Sequence, residues 1–141
     1  SITELTFGEV NDIKRKVASL NGADKLEVVR MVYKDEPLLM DVFRFYGCLR
    51  FLTLEAERVM QMEGAHWNTE PTEQDAKWEQ AGIKELEMFG DLPLIDNLAG
   101  GDVLKYNDIE GLNYLEVHYI LWYRAMQQNI QQRFQKLMTN K

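Results

Sequence analysis

Cysteine and histidine, which often hold metals or act as nucleophiles and bases, are nearly missing from this sequence. Cys48 is the only cysteine among 141 residues, so no disulfide can form within the chain, and a zinc site built from several thiolates is excluded. Its mostly apolar neighbours in FYGCLRF are typical of an inert, buried cysteine. Nothing in the cysteine usage indicates an oxidising compartment, and only His66 and His118 are left as histidine ligands or bases.

Long apolar runs and dense basic clusters are missing as well. No apolar run approaches the roughly 20 residues that a membrane-spanning helix needs, and the opening SITELTFGEV carries acids where a secretory signal carries bases. The 16 Lys and Arg residues are scattered among 23 Asp and Glu residues, for a net charge of −7, whereas nucleic-acid binding needs clustered bases. We therefore predict a cytoplasmic protein without a membrane or nucleic-acid partner, whose acidic surface favours neutral or basic proteins.

The composition that is present belongs to a globular domain. Apolar residues make up 45% and charged residues 28% of the chain, which is the usual balance of a folded protein. Helical spacing and cap signals recur along the sequence, and strand alternation is not evident. We predict an all-α fold in which residues 1–141 form a single compact domain of about five to seven helices, with a long central helix and a long C-terminal amphipathic helix.

Cap signals mark the first helices. Thr6 and Glu9 fit a capping box that opens the first helix, and Asn21-Gly22 is its predicted stop. After a second short helix, Pro37 fits the first position of the long central helix, because the missing N–H of proline has no partner there in any case. The apolar spacing predicts that this central helix covers much of residues 37–65.

The middle of the chain is predicted to be less regular. Residues 67–72 read as an internal linker, after which Thr72-Glu-Gln-Asp75 opens a helix that ends at Gly90. The residues predicted to face inward on that helix are Trp78, Ile83, Leu86 and Phe89. Residues 91–113 are predicted to be irregular with two single-turn helices, where Gly100 ends one turn and Asp102 caps the next.

The C-terminal helix carries the clearest pattern, predicted for residues 114–138 with Asn113 in the cap position. One stripe steps by three or four residues through Leu115, Tyr119, Trp122, Met126, Ile130, Phe134 and Leu137. The first half is apolar on most sides, so Tyr119 and Trp122 are predicted to be buried. The second half needs a single partner surface, which is either the N-terminal helix of the same chain or another protein; in the second case Met126, Ile130, Phe134 and Leu137 bind the partner.

One constellation resembles a metal site, the E-x-x-H pair of Glu63 and His66. Residues three apart share a helix face, but helical carboxylate sites need two such pairs and further glutamates. In Glu116-Val-His118 the two side chains lie about 200° apart around the helix and cannot supply the second pair. We therefore predict a helix end without a metal, cofactor or catalytic residue. The alternative is a helical metal-binding protein or enzyme that uses Glu63 and His66 with acids such as Glu55 or Glu116.

The second histidine, His118, has its own two interpretations. It lies within the apolar stretch 115–122, where a lone histidine is more often hydrogen-bonded inside the core than catalytic. As a base it would need an acid partner, for which Glu110 and Glu116 are the candidates near in sequence. No nucleophile motif accompanies it, so we predict a core histidine in a protein that is not an enzyme.

Two segments resemble phage tail assembly chaperones. Residues 2–10 (ITELTFGEV) resemble the "xxELTxxEV" opening that leads into the first helix of that group. Residues 102–117 (DVLKYNDIEGLNYLEV) resemble its loop and aromatic-flanked "xxIxxL" turn, which precede an amphipathic helix. Baseplate-hub assembly proteins of contractile-tailed phages fit about as well.

The resemblance implies a non-enzymatic helper in the cytoplasm of a bacterial host. Such a protein holds the aggregation-prone tape-measure protein, or a hub or tail structural component, until the tail assembles. A protein partner is therefore expected, and association of the chain with copies of itself stays open. The acidic composition and the single apolar stripe of the C-terminal helix are compatible with this role.

Overall fold

The computed structural model describes residues 1–19, 21–34, 37 and 41–140, and it confirms the all-α prediction. The α-helices are α1 (Phe7–Ala18), α2 (Gly22–Tyr33), α3 (Val42–Trp67), α4 (Glu73–Gln80), α5 (Leu92–Leu98), α6 (Tyr106–Glu110) and α7 (Tyr114–Thr139). Short 3₁₀ helices cover Ile2–Glu4, Ile83–Phe89 and Val103–Lys105. Within these ranges there is no strand, only an isolated bridge between Thr6 and Asn113. None of the described helices is both long and apolar enough to cross a membrane.

Side-chain caps start the helices where the sequence indicates. Thr6 and Glu9 form the predicted capping box of α1, and Thr72 and Asp75 form another at α4. Asn21 has a different role from the predicted one, because α1 already ends at Ala18 and the Asn21 side chain accepts a hydrogen bond from the N–H of Ala23 to start α2. An Asn-Gly pair serves either purpose, since asparagine is a good N-cap and Asn-Gly also favours chain reversal.

The long central helix is α3, which begins later than predicted. Its N-cap is Asp41, whose carboxylate accepts a hydrogen bond from the N–H of Arg44. The predicted start at Pro37 falls next to residues 35–36 and 38–40, which lie outside the described residues. The helix ends at Trp67 with Asn68 in extended conformation, so the prediction that MEGAHW is a helix end is confirmed.

The core lies where α1, α2, α3 and the start of α7 meet. Its fully buried side chains are Phe7, Val10 and Ile13 of α1, Val28 and Val29 of α2, Leu52 and Val59 of α3, and Tyr114 and Val117 of α7. Two backbone hydrogen bonds hold the N-terminal segment against the start of α7: Phe7 N–H donates to the Leu112 carbonyl (2.8 Å) and Tyr114 N–H donates to the Leu5 carbonyl (3.0 Å). These bonds place the first turn of α7 beside α1.

The prediction of an inward-facing helix over residues 72–90 is wrong. Gly82 adopts a left-handed conformation (φ 93°), so the α-helix stops at Gln80 and a 3₁₀ helix follows. The four residues expected to face the core, Trp78, Ile83, Leu86 and Phe89, are all exposed. The periodicity identified an apolar pattern, but among the described residues no long helix packs over this segment to cover it.

The burial predicted for the first half of α7 also needs correction. Tyr119 is 62% exposed and Trp122 is only half-buried. The helix packs on the core through a different face, formed by Tyr114, Val117, His118, Leu121 and Ala125. At 100° per residue these five side chains are centred almost opposite the predicted stripe. Both faces are apolar, and the buried one has side chains that are smaller on average and lie nearer the start of the helix.

Candidate functional site

The E-x-x-H pair and the second histidine meet in the fold, although they lie about fifty residues apart in the sequence. The Nδ1 atom of His66 lies 2.8 Å from Nε2 of His118. The Tyr114 hydroxyl lies 3.4 Å from Nδ1 of His118 and 2.8 Å from Oε1 of Glu63. Lys14 of α1 completes the cluster, with its Nζ atom 2.7 and 2.9 Å from the two Glu63 oxygens. These five residues, called the polar cluster below, join α1, α3 and α7.

The hydrogen bonds of the polar cluster have one consistent direction. The Glu63 carboxylate can only accept, so Lys14 and the Tyr114 hydroxyl both donate to it. The Tyr114 oxygen then accepts from Nδ1–H of His118, which leaves His118 Nε2 to accept from Nδ1–H of His66. In this arrangement His118 is neutral, and each donor points, directly or through its neighbours, towards Glu63.

The pKa shifts agree with that assignment. Burial, reinforced by the neighbouring His66, lowers the pKa of His118, while Glu63 opposes the shift. Burial also raises the pKa of Tyr114 far above its ordinary value, and the charge of Glu63 adds to the increase. The phenol is therefore a hydrogen-bond donor at all ordinary pH values, and His118 favours its neutral form.

Aromatic rings enclose the histidine pair. The His66 ring stacks on Trp122 with centroids 3.7 Å apart and an interplanar angle of 2°. The indole Nε1–H of Trp67 donates to the His118 carbonyl at 3.2 Å. His118 is thus buried as predicted for a core histidine, and Trp122, which stacks on His66, is partly buried.

The acids proposed as further ligands or bases are not part of the cluster. Glu55 accepts hydrogen bonds from the N–H of Ile2 (3.1 Å) and from Arg58, and the Arg58 hydrogen bond holds its pKa at about 2. Glu110 and Glu116 are both exposed. In the described part of the chain, no group of three or more histidine, cysteine, aspartate or glutamate side chains is arranged to hold a metal ion.

The contacts of the polar cluster support the packing of the helices. A cleft of about 730 Å³ lies between α1, the 3₁₀ helix Ile83–Phe89, α5 and α6, but of the polar cluster only Lys14 reaches it. The cluster instead satisfies polar groups at a helix junction, where unpaired partners would destabilise the fold. Sequence reasoning missed it because Glu63 and His118 carry no local signal of their proximity.

The predicted partner-binding stripe lies at the surface. Met126, Ile130, Phe134 and Leu137 are each more than half exposed, so they do not pack on the N-terminal helix. Contacts from Glu63 to Tyr114 and from His66 to His118 show that α3 and α7 run in the same direction, and α7 extends beyond the end of α3.

The segment after α3 packs beside this extension, and near its start Arg124 donates to the Asn97 side-chain oxygen (3.4 Å). The Asn129 side chain accepts from the Glu70 N–H (2.8 Å) and donates to the Asn68 carbonyl (3.2 Å). Glu70 also pairs with Arg133 and Lys136 at 3.4 and 3.8 Å. These contacts fix the rotation of α7 so that its apolar stripe points away from the described remainder of the chain.

A large accessible surface sets this chain apart from a compact monomer. Its accessible surface is 10169 Å² for a mass of 16.5 kDa, about 2600 Å² more than the scaling for folded monomers gives. Comparison with protein-family models, with curated proteins and with solved structures finds no match. The function is therefore inferred from this surface, the polar cluster and the α7 stripe.

Proposed function

We propose that the protein is a non-enzymatic, protein-binding helper in phage tail or baseplate assembly, which shields or positions a structural partner. The observation that carries the proposal is the exposed stripe Met126, Ile130, Phe134 and Leu137 on the extended part of α7. Contiguous apolar surface of this kind marks interaction sites in folded proteins. The spacing of the stripe suits an amphipathic partner helix, which would use anchors at i, i+3, i+4 and i+7.

The local charge of α7 favours an acidic flank on the partner helix. Between Val117 and Asn140 the sequence contains no aspartate or glutamate, but it contains Arg124, Arg133 and Lys136. The rest of the chain is strongly acidic on balance, so an acidic helix meets less repulsion along α7, where Glu70 is the acid that pairs with Arg133 and Lys136. Complementary charge of this kind guides orientation and association rate more than affinity.

The arrangement of the two family-like segments supports the tail-assembly part of the proposal. Residues 2–10 and 102–117 are far apart in sequence, yet they are joined by the Thr6–Asn113 bridge and two backbone hydrogen bonds. A pair of segments that fold as one unit has a structural reason to vary together. The likeness to tail assembly chaperones therefore concerns one substructure, which leads directly into α7.

A second candidate is the helical metal-binding protein or enzyme that uses Glu63 and His66. The observation in its favour is the short approach of His66 to His118, since two imidazole nitrogens at 2.8 Å belong to one small site. Elemental analysis of the purified protein tests it. Stoichiometric zinc, iron or manganese that is lost in His66→Ala would replace the helper proposal with this one.

The helper proposal is tested by co-expression with the proteins encoded by the genes that neighbour this one, above all any long tape-measure or hub protein among them. We expect the wild-type protein to increase the soluble fraction of that partner and Phe134→Asp to abolish the effect, because a few apolar anchors carry most of the binding energy. The matched control is Gln131→Asp, which places the same charge on an exposed polar position of the same helix segment.

Thermal melting separates loss of binding from loss of folding. Phe134 is 61% exposed, so Phe134→Asp should melt within a few degrees of the wild type. A strongly lowered melting temperature with unchanged association would place the stripe in the core. Equal solubilisation by the wild type and both variants would remove the stripe from the binding surface.

A further inference from the structure

A second exposed apolar face lies on the first half of α3, far from the α7 stripe in sequence. It consists of Val42, Phe43, Tyr46, Phe51 and Leu54, all exposed, and is called the α3 face below. Phe43 is 92% exposed. The core side of the same helix is formed by Leu52, Ala56 and Val59, so α3 has apolar residues on two sides. In the second half of the helix, exposed positions such as Glu57, Arg58 and Gln61 are polar.

Gly47 lies in the middle of the α3 face. Successive residues turn by 100°, so Phe43, Tyr46, Phe51 and Leu54 fall within about 140° of the helix surface, and Gly47 lies inside this sector. A side chain added at Gly47 would meet no atom within 4 Å, which means that the described chain does not need a glycine there for its own packing. Glycine in the middle of a helix face lets another helix approach the backbone closely.

The pattern around Gly47 is symmetric. Phe43 and Phe51 each lie four residues from Gly47, one turn on either side, so the face presents a large ring, a gap and a large ring in both directions. A two-fold interface uses the same surface on both subunits and needs self-complementary features of this kind. In an antiparallel pair centred on Gly47, the rings of each helix flank the gap of the other, as in ridges-into-grooves packing.

Charge does not oppose contact between two copies at this place. The chain has a net charge of −7, but residues 42–54, which contain the α3 face, include Arg44 and Arg50 and no aspartate or glutamate, so two copies do not bring carboxylates together there. The one arginine inside the face is Arg50, which lies on the same side of Gly47 as Phe43 around the helix. The antiparallel arrangement brings Arg50 next to the partner's Phe43, where a guanidinium can stack on the ring.

The accessible surface area of the molecule is also large enough to include a dimer interface. A standard stable interface removes about 800 Å² from each partner, whereas this chain exposes about 2600 Å² more than a compact monomer of its mass. The excess is large enough for a self-interface on α3 together with the separate stripe on α7. We infer that the α3 face is covered by the α3 face of a second copy, in an antiparallel two-fold pair centred on Gly47.

Sedimentation velocity of the full chain over a range of concentrations tests this inference. The wild type should sediment as a dimer of twice 16.5 kDa, and Phe43→Asp should be monomeric. Gly47→Leu should weaken the dimer at least about tenfold, because a leucine fills the gap that the second helix needs. Gln61→Leu is the matched control, since it adds the same side chain to an exposed position on the same side of α3, and it should remain dimeric.

Circular dichroism and thermal melting show whether each variant folds, and both leucine variants should be at least as helical as the wild type. A wild type that stays monomeric at about 100 μM would overturn the inference and leave the face to a different molecule. Dimers that survive Phe43→Asp and Gly47→Leu but are lost in Phe134→Asp would also overturn it, because the copies would then pair through α7. The inference is independent of the proposed function: a dimer lost in Phe43→Asp supports it whether or not the α7 stripe binds a tail protein.

Discussion

The two apolar faces of α7 have the same helical period, but one is buried and the other is exposed. Val117, His118 and Ala125 lie against α1 and α3 and are buried, whereas Tyr119, Met126 and Ile130 on the other side face solvent. Both faces follow the helical period, so a helical wheel shows two apolar faces but does not show which one is buried. The difference shows that periodicity identifies a helix and its apolar faces, while burial depends on which face finds another element of the chain.

The largest expected effect comes from placing one charge on each face. Val117→Asp should lower the free energy of unfolding by about 3–5 kcal/mol, because Val117 is 1% exposed and the carboxylate would have no partner there. Met126→Asp on the opposite face should change it by less than about 0.5 kcal/mol. Urea unfolding followed by circular dichroism measures both, and equal losses in the two variants would mean that both faces are covered.

Trp122 lies at the border between the two faces and should behave as an intermediate case. Trp122→Ala should lower the free energy of unfolding by about 2 kcal/mol, less than for a fully buried tryptophan, because Trp122 is only partly buried, with one ring face stacked on His66. The same urea titration measures it, with Tyr119→Ala as the exposed control. A loss as large as that in Val117→Asp would place Trp122 in the closed core after all.

A smaller effect should come from removing a single hydroxyl of the polar cluster. Tyr114→Phe removes one of the two donors to Glu63, which keeps Lys14, and leaves His118 without its acceptor, so we expect about 1–2 kcal/mol lower stability. Tyr123→Phe is the matched control, because Tyr123 lies on the exposed face of the same helix and its hydroxyl only accepts from Gln127. Equal stability of the two phenylalanine variants would contradict a structural role for the cluster.

A change of pH should have a still smaller effect on the free energy of unfolding, through His118 on the buried face of α7. Burial and the nearby His66 lower the pKa of His118 in the folded protein, so the unfolded chain takes up a proton first as the pH falls below about 6.5. Stability should therefore be constant above that value and decrease below it, until the folded pKa is reached. Unfolding free energies measured between about pH 8 and 5 should show this slope, and His118→Gln should reduce it.

Glu55 predicts a separate loss at lower pH. The hydrogen bond from Arg58 holds its pKa at about 2 in the folded state, below the ordinary value of about 4.5, so its contribution is present above that value and disappears as the pH falls towards 2. Glu55→Gln should flatten this second slope and leave the one near pH 6 unchanged. A single slope removed by both variants would show that the two groups are not independent.

Local signals in the sequence were sufficient for the helices and most of their ends. The Thr6–Glu9 and Thr72–Asp75 boxes form as predicted, because a cap is made by residues three apart and needs no other part of the chain. The stop of α3 after His66 is equally local. The prediction for residues 72–90 was wrong for a non-local reason. The inward assignment of Trp78 and Phe89 required an opposing surface that the described chain does not place there.

Only part of the candidate site could be predicted, because only part of it is formed by residues that are close in sequence. The stripe of Met126, Ile130, Phe134 and Leu137 follows from spacing on one helix, and its position at the surface was one of two stated outcomes. The polar cluster was not predictable, because the contacts of Glu63 with Tyr114 and of His66 with His118 cross from one helix to another. The single E-x-x-H was predicted to lack the second pair of a helical metal motif, and its link to His118 was missed.

By itself, the sequence determined an acidic, all-α chain, its capped helices and the presence of two apolar faces on α7. Only the tertiary structure decided which face is buried, that His66 and His118 share one hydrogen bond, and that α7 extends past the end of α3. The physical reason is range: caps and helical periods depend on residues within one or two turns, whereas burial depends on what the rest of the chain brings to each surface.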